Sequence, residues 1–127
     1  MSNTATATKS TKEIATRLKK LCDKGDFETA QKELFAKDAV SIEPMASKDF
    51  PKETKGVDAI IAKGKKWNDM VTKTHSMEIS EPVIAGNSFS LALHMDVTTK
   101  DGKRMDMTEL CVYRVKDGKI ISEEFYM

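Results

Sequence analysis

A chain of 127 residues is long enough for one domain around one hydrophobic core and short for two. Its 39% hydrophobic and 32% charged residues describe a solvated globule and exclude an intrinsically disordered chain. The 21 basic residues stand against 20 acidic ones, and a formal charge of +1 leaves no electrostatic footprint for nucleic acid or for an anionic membrane, so neither is expected as a partner.

In chain order, residues 1–11 are rich in Ser, Thr and Ala and contain neither an apolar h-region nor an arginine. They are expected to be a flexible tail, not a secretory signal or transit peptide, with a single domain over 12–127. Ser10-Thr11-Lys12-Glu13 has the capping-box pattern, and Ile14, Leu18, Leu21 and Cys22 follow at helical spacing. Gly25 ends that helix, and Asp26 is placed to cap a second one with Phe27, Ala30, Leu34 and Phe35 on its apolar side. A short strand is expected over Ala39–Glu43, then a loop through Pro44 and Pro51 with room for one more short strand.

A third helix is predicted from Val57 to Met70, with Val57, Ile60, Ile61, Gly64 and Trp67 on its buried side, continued by Val71. Lys63, Lys65 and Lys66 read as its solvated face. The second half reads as strands His75–Ala85, Phe89–Thr99, Lys103–Val115 and Lys119–Tyr126, separated by Gly86-Asn87, Asp101-Gly102 and Asp117-Gly118. Turns this short join antiparallel neighbours, so a four-stranded meander is expected, with the helices on one face of a curved sheet. The fold class is α+β.

Alternation assigns the faces. Phe89, Leu91, Leu93, Met95 and Val97 share one side of their strand, and Met105, Met107, Glu109, Cys111, Tyr113 and Val115 share one side of the next. Both sets should face the helices, and Glu109 is the one charged residue among them. On the last strand Ile121, Glu123 and Phe125 would alternate inward, although solvent at a strand end is the plainer place for Glu123. The opposite sheet face carries Ala92, Leu110 and Val112 beside His94, Asp96 and Arg114, a strip suited to a homodimer contact.

Helix, helix, short strand, helix and a four-strand meander in this order resembles the nuclear-transport-factor-2-like superfamily, with its SnoaL-like and ketosteroid-isomerase-like branches. The resemblance rests on Gly25-Asp26-Phe27, Leu34-Phe35-Ala36-Lys37-Asp38-Ala39, Glu43-Pro44, Gly56-Val57-Asp58-Ala59-Ile60 and Val112-Tyr113-Arg114-Val115-Lys116-Asp117-Gly118-Lys119-Ile120. It implies a cone-shaped half-barrel of cystatin-like topology with a pocket between sheet and helices, commonly dimeric. In the isomerase branch the residue before that proline is the proton-shuttling carboxylate, which the resemblance places at Glu43. The two oxyanion donors of that branch do not carry over, since their positions fall on Leu18 and Cys111. The catalytic acid of the polyketide cyclases is likewise displaced at Cys111, with Glu109 two residues earlier on the same face.

The catalytic candidates are therefore Glu43 and Glu109, with Tyr113 as a hydroxyl donor to an oxyanion. Each has a plainer reading: a solvated glutamate at a strand end, a glutamate ion-paired with Lys103 or a third-helix lysine, and a core tyrosine. Trp67, Phe89, Leu91, Leu93, Met105, Met107, Cys111, Glu123 and Phe125 are the candidate ligand-binding lining. No Gly-rich phosphate loop, nucleophile elbow or paired Cys/His is present, so no cofactor and no metal are expected. Cys22 and Cys111 lack companions and read as buried thiols in a reducing, cytoplasmic setting.

Three functions remain open on the sequence. The first is cofactor-independent isomerase, cyclase or lyase chemistry by proton transfer on a mostly apolar carbonyl compound, with Glu43 as the base and Tyr113 or a protonated Glu109 stabilising the oxyanion. The second is non-catalytic capture of a small apolar or amphipathic ligand. The third is a structural dimerisation domain whose pocket is filled by its own side chains.

Overall fold

The structure, a computed structural model, describes residues 9–127. Residues 1–8 of the expected tail lie outside the described residues. Ser10 accepts from the Glu13 N–H at 3.1 Å while the Glu13 carboxylate accepts from the Ser10 N–H at 2.9 Å, so the capping box starts helix α1, Thr11–Asp23. Ile14, Ala15, Leu18, Leu21 and Cys22 form its buried stripe. Gly25, at φ +75°, adopts the left-handed conformation that lets the chain turn into α2, Phe27–Leu34. Asp26 occupies the cap position of α2, but its side chain makes no capping bond.

Strand β1, Phe35–Ile42, follows α2 without a loop, so Phe35 opens a strand instead of closing a helix. After the short β2, Glu53–Lys55, helix α3 runs over Val57–Met70 and passes directly into β3, Val71–Ile79. The strand expected over His75–Ala85 is two strands: Pro82, which has no N–H to give a ladder, precedes a separate β4, Val83–Ala85. Both pair with the long β5, Ser88–Thr99, which is followed by β6, Arg104–Lys116, and β7, Lys119–Tyr126.

These strands make one mixed sheet in the order β2-β1-β7-β6-β5-β3, with β4 also on β5. The antiparallel meander is as the turns require, and β1 joins it parallel to β7. The two alternating sets pair residue for residue, Phe89 with Tyr113, Leu91 with Cys111, Leu93 with Glu109, Met95 with Met107 and Val97 with Met105. A register shift between Arg114 and Val115 places Ile120 opposite Val115. Ile120, not Ile121, is therefore the buried residue at that end, while Glu123 and Phe125 lie opposite Tyr113 and Cys111 on the inner face.

The core lies between this face and the helices, where Ile14, Leu18, Ala30, Leu34 and Ile60 meet Phe89, Leu91, Tyr113 and Ile120. Each large apolar side chain buried this way contributes about 1.5–3 kcal/mol relative to exposure. Along β6 the inner face passes from buried Cys111, Tyr113 and Val115 to half-buried Glu109, Met107 and Met105. The fold is the α+β cone expected, closed at one end and less filled at the other.

Candidate active site

The less filled end gathers side chains from four elements. Ser41 comes from β1, with Glu43 just beyond that strand; Lys63 and Trp67 lie one turn apart on α3; Glu109 comes from β6; and Glu123 and Phe125 come from β7. Lys63 Nζ donates to Ser41 Oγ at 2.6 Å and to Glu43 Oε2 at 2.8 Å, and Ser41 Oγ donates to Glu123 Oε2 at 2.6 Å. The Lys63 ammonium also stands 5.6 Å from the centre of the Phe125 ring. Side-chain exposure of 13% for Lys63 and 26% for Glu43 places this ion pair at the rim, below the surface but reachable from it.

Glu123 is 5% exposed, not the solvated strand-end residue that is the plainer reading of its position. Burial raises its pKa from 4.5 to about 6, against the Ser41 hydrogen bond and the charge of Lys63, which favour the carboxylate. Glu109 makes no ion pair or side-chain hydrogen bond among the described residues. Burial raises its pKa from 4.5 to about 7, with further push from Glu43 and Glu123 and an opposing pull from Lys63. A carboxyl group that exchanges its proton near neutrality is suited to general acid–base work.

The apolar lining divides in two. Phe89, Leu91, Leu93, Cys111 and Tyr113 are packed in the core and do not form an open wall. Tyr113 stacks on Phe89 with ring centroids 4.8 Å apart, and burial pushes its phenol well above the ordinary value, so it stays protonated. Burial likewise pushes the Cys111 thiol up and the Cys22 thiol to about 12, leaving both inert as nucleophiles. Met105, Met107, Trp67 and Phe125 are half-buried, and Met77, Met95 and Met107 form a row across β3, β5 and β6. Such thioether side chains adapt to ligands of varied shape. Two depressions of about 670 and 430 Å³ open elsewhere, one over Lys37, Asp38, Val40, Lys55 and Gly56, the other over Lys9–Thr11, Asn87 and 115–118. Neither is lined by Glu43, Glu109 or Glu123.

Lys63 is the site residue that the lysine-cluster reading misses. Lys65 and Lys66 are exposed as expected, but Lys63 turns inward. Its spacing carries the signal, because Lys63 follows Ile60 by three and precedes Trp67 by four, within the stripe already assigned to the buried side. Ser41 has no comparable signal, since its role depends on the parallel pairing that sets it opposite Glu123. Among the described residues no group of three or more His, Cys, Asp or Glu side chains could hold a metal ion, and no helix is long and apolar enough to cross a membrane.

The SnoaL-like domain family model matches residues 9–127. A Mesorhizobium loti protein provisionally described as a SnoaL-like polyketide cyclase or carbohydrate phosphatase is 32% identical, covering 94% of this chain and all of that one, with TM-score 0.87. An NTF2-like protein of Burkholderia thailandensis is 17% identical over 93% of this chain and 90% of its own, with TM-score 0.80. IdmH of Streptomyces antibioticus, provisionally described as a polyketide cyclase, is 19% identical over 93% and 91%, with TM-score 0.69. No curated protein matches the sequence. Three helices on a curved mixed sheet give this chain the NTF2-like α+β cone fold, and the chain belongs to the SnoaL-like domain family.

Proposed function

We propose that this protein binds a small, mostly apolar carbonyl compound at the less filled end of the cone and moves a proton on it, with Glu109 as the acid–base group. The observation that carries the reading is the placement of Glu109: a half-buried carboxyl without an ion-pair partner among the described residues, on an otherwise apolar face, within reach of the charges of Glu43 and Glu123, which are both engaged. Glu43, where the resemblance places the proton shuttle, is tied to Lys63 and serves as the fixed anion of the site. Lys63 brings positive charge to a place from which the isomerase oxyanion donors are missing, Leu18 and Cys111 being core residues.

The test is deuterium incorporation from D2O into a panel of cyclic and aromatic ketones, followed by NMR. Wild-type protein is expected to speed exchange α to the carbonyl, and Glu109→Gln to reduce that acceleration by about 10²-fold or more. Equal exchange with both proteins, or none above buffer, contradicts catalysis. The packed state of Phe89, Leu91, Leu93 and Tyr113, with the open depressions elsewhere, favours a second reading as a binding or structural domain without turnover. Shifts of the Met77, Met95 and Met107 methyl signals without exchange would establish binding alone; unmoved signals throughout would leave the structural role.

The proposed partner besides the ligand is a second copy, docked through the outer sheet face. Leu110 and Tyr126 lie opposite each other there at 44% and 49% exposure, next to Val112 and Ala92. Leu110→Glu is expected to convert a dimer to monomer in sedimentation velocity; an unchanged sedimentation coefficient contradicts that interface.

A further inference from the structure

One carboxylate, Glu43, and one hydroxyl, Ser41, meet the Lys63 ammonium at the rim of the inner face, a second carboxylate, Glu123, holds that hydroxyl, and the hydrogen bonds among them have a fixed direction. Lys63 has only donors, so Ser41 Oγ accepts from it; the single Ser41 proton is then committed to Glu123. A flexible four-carbon side chain on α3 is thereby held by acceptors on β1 and in the segment after it, and the β1 acceptor is held in turn by a buried carboxylate on β7. Such a chain orders a long side chain that otherwise samples many rotamers. It is more than a solvent-exposed ion pair, because Ser41 and Glu123 are both buried.

We propose that Lys63 is the positioning residue of this site: anchored through Ser41 to Glu123, it pairs with Glu43 and sets a fixed positive charge beside Glu109, so that Glu109 is left as the carboxyl free to exchange a proton with a ligand. The inference rests on the reading of Glu109 as the acid–base group and adds the unit that controls it. The Lys63 ammonium stands over the Phe125 ring, and Phe125 pairs with Cys111, two residues along the same face of β6 from Glu109. Glu43, Glu123 and Lys63 are the charged groups acting on Glu109, and Lys63 alone of the three favours its carboxylate. Glu123 is then not a proton donor to substrate but the buried foot of the Lys63 anchor.

The test is a carboxyl ¹³C NMR titration of the full chain, free of ligand, for wild type, Lys63→Met, Lys63→Arg and Ser41→Ala. Lys63→Met is expected to move the Glu109 midpoint upward by about one pH unit, and Lys63→Arg to return it close to wild type. Ser41→Ala, a small change that should fold even if Lys63→Met does not, is expected to raise the Glu123 midpoint as that carboxylate loses its donor. A Glu109 midpoint unmoved in folded Lys63→Met, or a Glu123 midpoint unmoved in Ser41→Ala, overturns the inference. These midpoints are read without substrate, so a failure of ketone exchange would count against the proton-transfer reading and leave the positioning role standing.

Discussion

Replacing Glu109 by glutamine should stabilise the protein above neutral pH, by on the order of 2–3 kcal/mol at about pH 8, and change little near pH 4. The folded-state pKa of Glu109 is raised from 4.5 to about 7, so between those values the folded protein binds a proton that the unfolded chain has released. Stability from the neutral carboxyl is thus fully present below 4.5 and is lost as pH rises to about 7, beyond which the penalty is constant. Glu123 acts with the same sign between 4.5 and about 6. Glutamine keeps the shape and cannot ionise, so the variant should lose much of the pH dependence. Urea unfolding at the two pH values measures this directly. An equal effect of the substitution at both would mean that Glu109 is solvated, and destabilisation at pH 8 greater than at pH 4 would mean that it is ion-paired, as in its plainer reading. A residue that costs stability where it is ionised is common where function, and not folding, retains it.

Phe89→Ala should cost about 3–5 kcal/mol, the range for removing a large aromatic from a packed core. Phe89 is 2% exposed, stacked on Tyr113 at an interplanar angle of 18°, and part of the core cluster that includes Ile14, Leu18 and Leu21 of α1. The truncation removes the ring from both layers and leaves Tyr113 without its partner, and neighbouring side chains can close such a space only in part. Urea unfolding at one pH gives the difference. A loss below about 1 kcal/mol would mean that this end of the inner face is open, as a ligand-lining role for Phe89 would require.

Much of the fold is legible in the sequence because its signals are local. The capping box at Ser10, the left-handed Gly25 and the three glycine-containing turns of the meander depend on neighbours within a few positions, and strict alternation assigns the β5 and β6 faces. What escapes is set by distant pairing. β1 lies parallel to β7, and only that arrangement brings Ser41 to Glu123, 82 positions away. The register shift at Arg114–Val115 exchanges Ile121 for Ile120, which alternation alone cannot foresee.

The candidate site divides along the same line. Glu109 stands out by interrupting an apolar alternation, and that signal survives in its position on the half-buried stretch of β6. Lys63 does not stand out, because a lysine beside two other lysines reads as solvent face; its inward turn follows from acceptors supplied by β1 and the segment after it. The supposed lining residues Phe89, Leu91 and Cys111 show the opposite limit: an inward face is readable from alternation, but whether it meets a ligand or a helix depends on how far the helices reach.

The central claim is that Glu109 carries a proton at the less filled end of the cone. The most direct measurement is the carboxyl ¹³C titration of Glu109 in the unmodified protein. A midpoint near the value of about 7 set by burial and by Glu43 and Glu123 is the predicted result. A midpoint at the ordinary 4.5 would contradict it, placing Glu109 in solvent and leaving the Glu43–Lys63–Ser41–Glu123 chain a structural ion-pair network.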